Sequence, residues 1–439
     1  SGIGVTVTGE VAASQDYPNF RPILDLNFAA TKKLDPRISY TRSGPASYTN
    51  EFSEVVLVGD NVPRFDHDLT TGESKGLLNE EEVTNTCLYS EIGQTTLNSS
   101  GIGGNNGYAR ISTDFITPEG KFGRCLDFKM RSTTQGGYYR RGGYINITAG
   151  EKYTISMFIR NGDPDNQDLE AASSGTYLGI HLYKTGSGQN AGMGFGHADM
   201  KKERYAHGWT RYSATFTAQA TANGVHGYFN IASSSVAYLD WNLQLWGFQI
   251  EAGGYSTSYI PTGASSVTRG ADTTVIDGEE FNEFFDHRGN ETNNYSGTLL
   301  AFIEQPFESF PLTGRYNKIQ LERSNDNKVS LATLVQSAGN PDVQGMISYG
   351  TATQIDKTSS GSTFPTIVKH GIAYAKNSGA YTFNGNTVQT DNTMNIANSN
   401  TNTHYTQLSI GAVPRKSHIK RIMYYNNRIS DTQLRNLTS

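Results

Sequence analysis

A pyranose ring offers one apolar face and a rim of hydroxyls, so a site that holds it needs an aromatic ring flanked by amides, carboxylates or a guanidinium. Three stretches of this sequence carry those groups at strand spacing. In "GWTRYSATFTA" (208–218) alternation puts Tyr212, Ala214 and Phe216 on one face and Trp209, Arg211, Ser213 and Thr215 on the other. In "LDWNLQLWGFQIEAGG" (239–254), Asp240, Asn242 and Gln244 form a polar row that would be expensive to bury unpaired. The stretch "GYYRRGGY" (137–144) offers Tyr138, Tyr139 and Arg141. Each has a plainer structural reading as well: Trp209 packed at a sheet edge, and the Tyr-Arg stretch as a hairpin tip between glycines. The candidate glycan-binding set is Trp209, Arg211, Asp240, Asn242, Gln244, Tyr139 and Arg141.

A second kind of chemistry is suggested by "NGDPDNQDLE" (161–170), where Asp163, Asp165 and Asp168 stand close to Glu170. Hard oxygen donors at that density suit Ca²⁺, although the spacing is not that of an EF-hand and an acidic surface loop is the plainer reading. Beyond a structural Ca²⁺ there, no cofactor is called for. Catalytic signatures are missing: no Gly-x-Ser-x-Gly, His-Glu-x-x-His or phosphate-binding loop occurs. "GIGGNNG" (101–107) lacks the strand and helix that a nucleotide loop needs, and the 9 histidines are dispersed. With 41 acidic residues some carboxylates will meet by chance, and no signature singles out a pair for glycoside hydrolysis. The expectation is a binding protein, not an enzyme.

The elements that must position these residues are strands. Hydrophobic residues make up 36% of the 439 residues and charged ones 18%, while Gly (47) and Tyr (25) are plentiful, a mix suited to short strands and polar turns. After an N-terminal series with "PILDLNFA", "RISYTRSG" and "VVLVGDNVPRF", a second series includes "GYINIT", "KYTISMFIR", "TYLGIHLYK" and "VHGYFNIA". The pattern restarts with "SGTLLAFIEQPF", "NKIQLERSNDNKVSLATL", "GIAYAKNSGAYTFNGNTVQT" and "TQLSIGA". Asn384-Gly385 signals a type I′ turn, and "SNDN" (324–327) a weaker hairpin. One helix stands out at the end, where Ser430 and Gln433 form a capping box ahead of Leu434 and Leu437. The predicted fold class is all-β: tandem antiparallel β-sandwiches of jelly-roll type with one short C-terminal helix. The predicted units are an N-terminal β segment over 1–90, open to either sandwich, one sandwich over 91–272 and another over 273–439.

Within 239–254 the alternation slips, because Leu243 and Leu245 are followed by Trp246, Phe248 and Ile250 on the other phase. Gly247 supplies the freedom for a one-residue bulge. The bulge reading brings Trp241, Leu243, Leu245, Trp246, Phe248 and Ile250 to one core and turns Asp240, Asn242 and Gln244 outward.

A formal net charge of −5 does not mark a nucleic-acid binder, and "PRKSHIKR" (414–421) reads as a solvated loop or strand end. No apolar run reaches the length of a membrane span and no signal-peptide pattern is visible, so no membrane is expected as a partner. The two cysteines, Cys87 and Cys125, read as buried thiols in a reducing compartment. The chain opens on Ser1 without Met, as a processed chain or a piece of a longer one does.

"VPRFDHDLTTGESKGLLNEEEVTN" with "LYSE" (62–91) resembles a stretch common in bacteriophage tail and virion proteins. "GWTRYSATFTA" and "WGFQIEAGGYSTSYIPT" with "RGAD" (246–272) resemble the second half of that family, a sandwich similar to family-4-type carbohydrate-binding modules. The Asn-Gly turn and the "IKRIMYYNNRISDTQLRNL" ending are similar to laminin-G-like, concanavalin-A-like sandwiches. Two positions depart from the pattern: Asn79 and Cys87 stand where an apolar residue is usual. The resemblance implies a virion surface component, a tail fibre, spike or head decoration, that attaches to host-surface polysaccharide, with 1–90 serving virion attachment or forming part of a sandwich. Other virion proteins would be its partners, and a homo-oligomer such as a trimer would give avidity. Two alternatives accompany it: a purely structural virion adaptor, and a polysaccharide-degrading enzyme.

Overall fold

The computed structural model describes residues 21–91, 102–103, 107–130, 137–140, 145–161, 178–184, 190–196, 200–231, 242–285, 296–306, 314–324, 327–335, 341–349, 352–359, 366–393, 405–413 and 415–439. Among the described residues the fold is all-β, with antiparallel sheets, three short α-helices and one 3-10 turn.

The first sandwich sets a six-stranded sheet against a second sheet of six. The six-stranded sheet runs in the order Lys201–Arg204, Trp209–Thr217, Lys152–Asn161, Asn242–Ala252, Phe122–Met130, Gly107–Ile116. Its inner face carries Leu126, Ile155, Met157, Tyr212, Phe216, Leu243, Leu245, Phe248 and Ile250, with Ile145, Ile147 and Ala222 of the opposing sheet packed against them. The alternation read in 208–218 holds, since Tyr212, Ala214 and Phe216 join this core while Trp209 joins a different cluster.

The second sandwich is larger. One sheet orders Gln389–Asp391, Ser378–Phe383, Ile367–Ala375, Gly297–Glu304, Ser417–Tyr425, Ser74–Asn79 and Phe65–His67, with Leu24–Leu26 also pairing Ser417–Tyr425. The facing sheet orders Ser39–Thr41, Thr273–Asp277, Gln407–Ile410, Gly314–Ser324, Asn327–Val335, Pro341–Tyr349 and Ala352–Ser359. Four strands of the N-terminal segment thus complete sheets built mainly from the C-terminal block, and Leu24, Leu26, Phe28 and Leu77 enter its core. The chain leaves for the first sandwich through Val83–Asn85 and returns through Val267–Arg269, and these two strands pair with each other.

A buried ion lattice fastens that crossing. Arg64 donates to Glu80 at 2.7 Å and to Asp272 at 2.6 Å, and Arg269 donates to Ser258 and approaches Glu80 at 2.8 Å, all four charged side chains being fully buried. Tyr40 donates to Asp272 at 2.5 Å, and the backbone N–H groups of Glu80 and Ser258 close onto Asp272 and Glu80. Burial works against the Glu80 carboxylate, but Arg269, Arg64 and Lys416 outweigh it and hold its pKa well below the usual value. Arg64 of the Arg-Phe-Asp stretch and Arg269 and Asp272 of the Arg-Gly-Ala-Asp stretch meet in this lattice, while Asp66 pairs with His418.

The C-terminal helix Asp431–Leu437 has the capping box expected, with Ser430 Oγ accepting from Gln433 N at 3.2 Å and Ser430 N donating to Gln433 Oε1 at 3.0 Å. Asn384 and Gly385 both take positive φ and Asn386 N returns to Phe383 O, as a type I′ turn requires. A second helix, Gly278–Phe284, lay outside the sequence expectation; Phe281, Phe284 and Phe285 anchor it in the core of the larger sandwich. Cys87 and Cys125 are buried.

Candidate functional site

The bulge in 239–254 is present, but its geometry differs from expectation. The ladder between Lys152–Asn161 and Asn242–Ala252 shifts between Ser156 and Phe158, and Gly247 takes φ 64°. Phe248 and Ile250 thereby return to the face of Leu243 and Leu245. Trp246 does not join them. It lies on the opposite face with Phe158, Trp209, Tyr259, Cys125 and Val55, its ring 4.6 Å from that of Tyr259. Asn85 clamps the bulge, donating to Phe248 O at 3.3 Å and accepting from Ile250 N at 3.1 Å.

That opposite face is covered, and three of the glycan-binding expectations are corrected by it. Trp209 is 1% exposed and donates to Ile116 O at 2.8 Å. Arg211 is buried, donating to Thr257 O and Ser156 Oγ with its guanidinium over the Phe158 ring. Gln244 is buried and donates to Asp127 at 3.2 Å, so the polar row does not turn outward at that position. The cover comes from Tyr259 and, far away in sequence, from the hairpin of Ala46–Thr49 with Val55–Val58. Asn242 begins its strand and Tyr139 pairs with Phe229, but their side chains, and Arg141, Asp163, Asp165, Asp168 and Asp240 altogether, lie outside the described residues. Among the described residues no group of His, Cys, Asp or Glu could hold a metal ion.

The polar constellation that the fold does assemble lies on the larger sandwich. In the seven-stranded sheet, Ile319, Leu321, Val329, Leu331, Ile347, Ile355 and Leu408 point into the core. The alternate positions therefore share the other face. Register aligns Ser409, Gln320, Ser330, Met346 and Asp356 across five neighbouring strands. A parallel row holds Gln407, Glu322, Lys328 and Ser348, and another holds Asn317, Ala332, Gln344 and Thr358.

Two carboxylates orient the amides on this face. Glu322 accepts from Gln320 Nε2, from Gln407 Nε2 at 2.9 Å and from Ser409 Oγ at 2.6 Å. Asp356 accepts from Gln344 Nε2 at 2.5 Å. With each amide nitrogen committed, each Oε1 faces away, and both are buried without a hydrogen-bond partner. Gln320 and Gln344 are each 3% exposed, so these are acceptors removed from water and left unfilled. Asn317 Oδ1, Ser348 Oγ and Arg315 Nε are buried and unpartnered on the same face. Arg315 reaches across to Ser330 Oγ at 2.9 Å and to Met346 Sδ. Burial, only partly opposed by Asp356, brings the Arg315 pKa down to about 10.

Glu322 and Asp356 stand three strands apart, roughly 14 Å at the usual strand spacing. That exceeds the separation of roughly 5–10 Å at which two carboxylates share one glycosidic bond. The arrangement can recognise hydroxyls; these two groups do not form an acid/base pair. The polar alternation of "NKIQLERS" and "TQLSIG" was visible in the sequence, but the register that aligns the rows was not.

No family model matches this chain, and no curated protein matches it. Solved structures do. Trypanosoma rangeli sialidase is similar at 11% identity over 72% of this chain and 60% of that one, with a TM-score of 0.28. The Ruminococcus gnavus IT-sialidase carbohydrate-binding module CBM40, bound to α2,3-sialyllactose, is similar at 15% identity over 33% of this chain and 83% of that one, with a TM-score of 0.25. An arabinose-bound α-L-arabinofuranosidase is similar at 12% identity over 49% of this chain and 32% of that one, with a TM-score of 0.29. Against another sialidase structure the chain spans only 26% of its length. At such values the likeness is weak, and none of these is a phage protein. The expectation that the chain is not an enzyme is corrected, since the solved structures to which it is similar include sialidases and an arabinofuranosidase.

Proposed function

We propose that this chain interacts with polysaccharide, laying a glycan along the polar face of the seven-stranded sheet. The observation that carries the reading is the pair of carboxylate-oriented amides, Gln320 and Gln344, whose buried Oε1 atoms have no partner. A buried unfilled acceptor costs about 1–3 kcal/mol, which a sugar hydroxyl would return once the Gln320 and Gln344 side chains turn out from their buried positions to meet it. Gln320 and Gln344 lie on strands two apart, roughly 10 Å at the usual spacing, a span that calls for an oligosaccharide.

The sequence resemblance supports the same ligand class and adds a setting: a phage tail fibre, spike or head decoration that grips host-surface polysaccharide in several copies. Mass spectrometry of purified particles tests that setting. A glycan array followed by calorimetry tests the binding itself. Binding to at least one polysaccharide, weakened tenfold or more in Q320A/Q344A, is expected; undiminished binding by that variant contradicts the site. Reducing ends are assayed on the same mixtures, and their release assigns glycan cleavage to the chain.

A further inference from the structure

We propose that the glycan taken by this face is acidic, with Arg315 receiving a sugar carboxylate. The inference rests on the glycan-binding reading and narrows it to a substrate class. Among the described residues Arg315 makes no ion pair with a carboxylate; its side-chain partners are the neutral Ser330 hydroxyl and the Met346 thioether. Its Nε is buried without a partner. The two carboxylates that could answer it are occupied on the same face, Glu322 by Gln320, Gln407 and Ser409, and Asp356 by Gln344. A guanidinium is planar and presents a fork of N–H donors that matches a carboxylate. Here the fork is held over the middle row of the sheet, close to the free amide acceptors, so one ligand can give hydroxyls to Gln320 or Gln344 and an acid group to Arg315. The lowered Arg315 pKa agrees, since burial without an ion-pair partner disfavours the cation and an incoming anion would restore it.

The test measures binding to oligosaccharides of polygalacturonate, hyaluronan and alginate, each beside its carboxyl-reduced form. Wild-type chain, R315Q, R315K and Q320A/Q344A are compared, with circular dichroism confirming the fold of each. The expected result is a preference of tenfold or more for at least one acidic member over its reduced form. R315Q should abolish that preference while holding the affinity for the reduced form within about twofold, and R315K should not restore it. Equal binding of acidic and reduced forms, lost in Q320A/Q344A, overturns the role of Arg315 and leaves the glycan reading intact. A preference that persists in R315Q overturns it as well. Binding of none of the six probes overturns the acidic assignment, and the glycan array decides separately whether the glycan reading falls with it.

Discussion

The guanidinium of Arg64 donates to the carboxylate of Asp272 at 2.6 Å across 208 positions of sequence, both side chains fully buried. The contact joins the residue just before the strand Phe65–His67 of the larger sandwich to the segment by which the chain returns from the smaller one. Removing one member leaves charges stranded away from water. Arg64→Ala should therefore cost about 3–5 kcal/mol, read as a lower denaturation midpoint in urea. A loss below about 1 kcal/mol would mean that the lattice is not what fastens the crossing.

Gly247 tests the bulge. Its φ is 64°, and a Cβ placed there would lie 2.8 Å from Phe158 Cδ2 and 3.4 Å from Tyr259. Gly247→Ala should destabilise by about 1–3 kcal/mol from backbone strain alone, with further loss from the aromatic clash. Unchanged thermal stability would contradict the packing of Trp246, Phe158 and Tyr259 described above.

Two buried bases in the larger sandwich set opposite ends of a pH profile. Burial pushes Lys318 down to about 7 from its ordinary 10.5, and His370 down to about 3 from 6.5. Between about pH 7 and 10 the unfolded chain carries the extra Lys318 proton, so stability rises with pH across that window; between about 6.5 and 3 the unfolded chain carries the His370 proton, so stability falls as pH drops. Lys318→Met should flatten the slope between pH 7 and 9, and His370→Phe the slope between pH 6 and 4. Both are read from urea unfolding at fixed pH, and slopes that do not change would contradict these assignments.

Local features of the fold were legible in the sequence because local chemistry sets them. The Ser430–Gln433 capping box, the Asn384-Gly385 turn, the two faces of 208–218 and the need for a bulge beside Gly247 all follow from neighbouring residues. What covers a face is not local. Trp209, Arg211 and Gln244 looked available because Tyr259 and Val55, which help to bury that face, come from elsewhere in the chain. The alternating polar residues of 314–324 and 407–410 were equally plain, yet only strand register shows that Gln320, Ser330 and Asp356 share a row. The Gly278–Phe284 helix escaped notice because three phenylalanines anchor it in the core without a helical repeat long enough to read.

Arg315 supplies a prediction about salt. If it receives a carboxylate, affinity for an acidic oligosaccharide should fall as ionic strength rises, while affinity for the carboxyl-reduced form should hardly change. Titrations at low and high sodium chloride check this, and equal salt dependence for the two forms would contradict it.

In the proposed complex the amides of Gln320 and Gln344 hold glycan hydroxyls. The most direct measurement is calorimetric titration of wild-type chain and Q320A/Q344A with the best polysaccharide from a glycan array. The wild type should bind, and the variant should lose tenfold or more at unchanged fold. Equal affinity in the two proteins would contradict it.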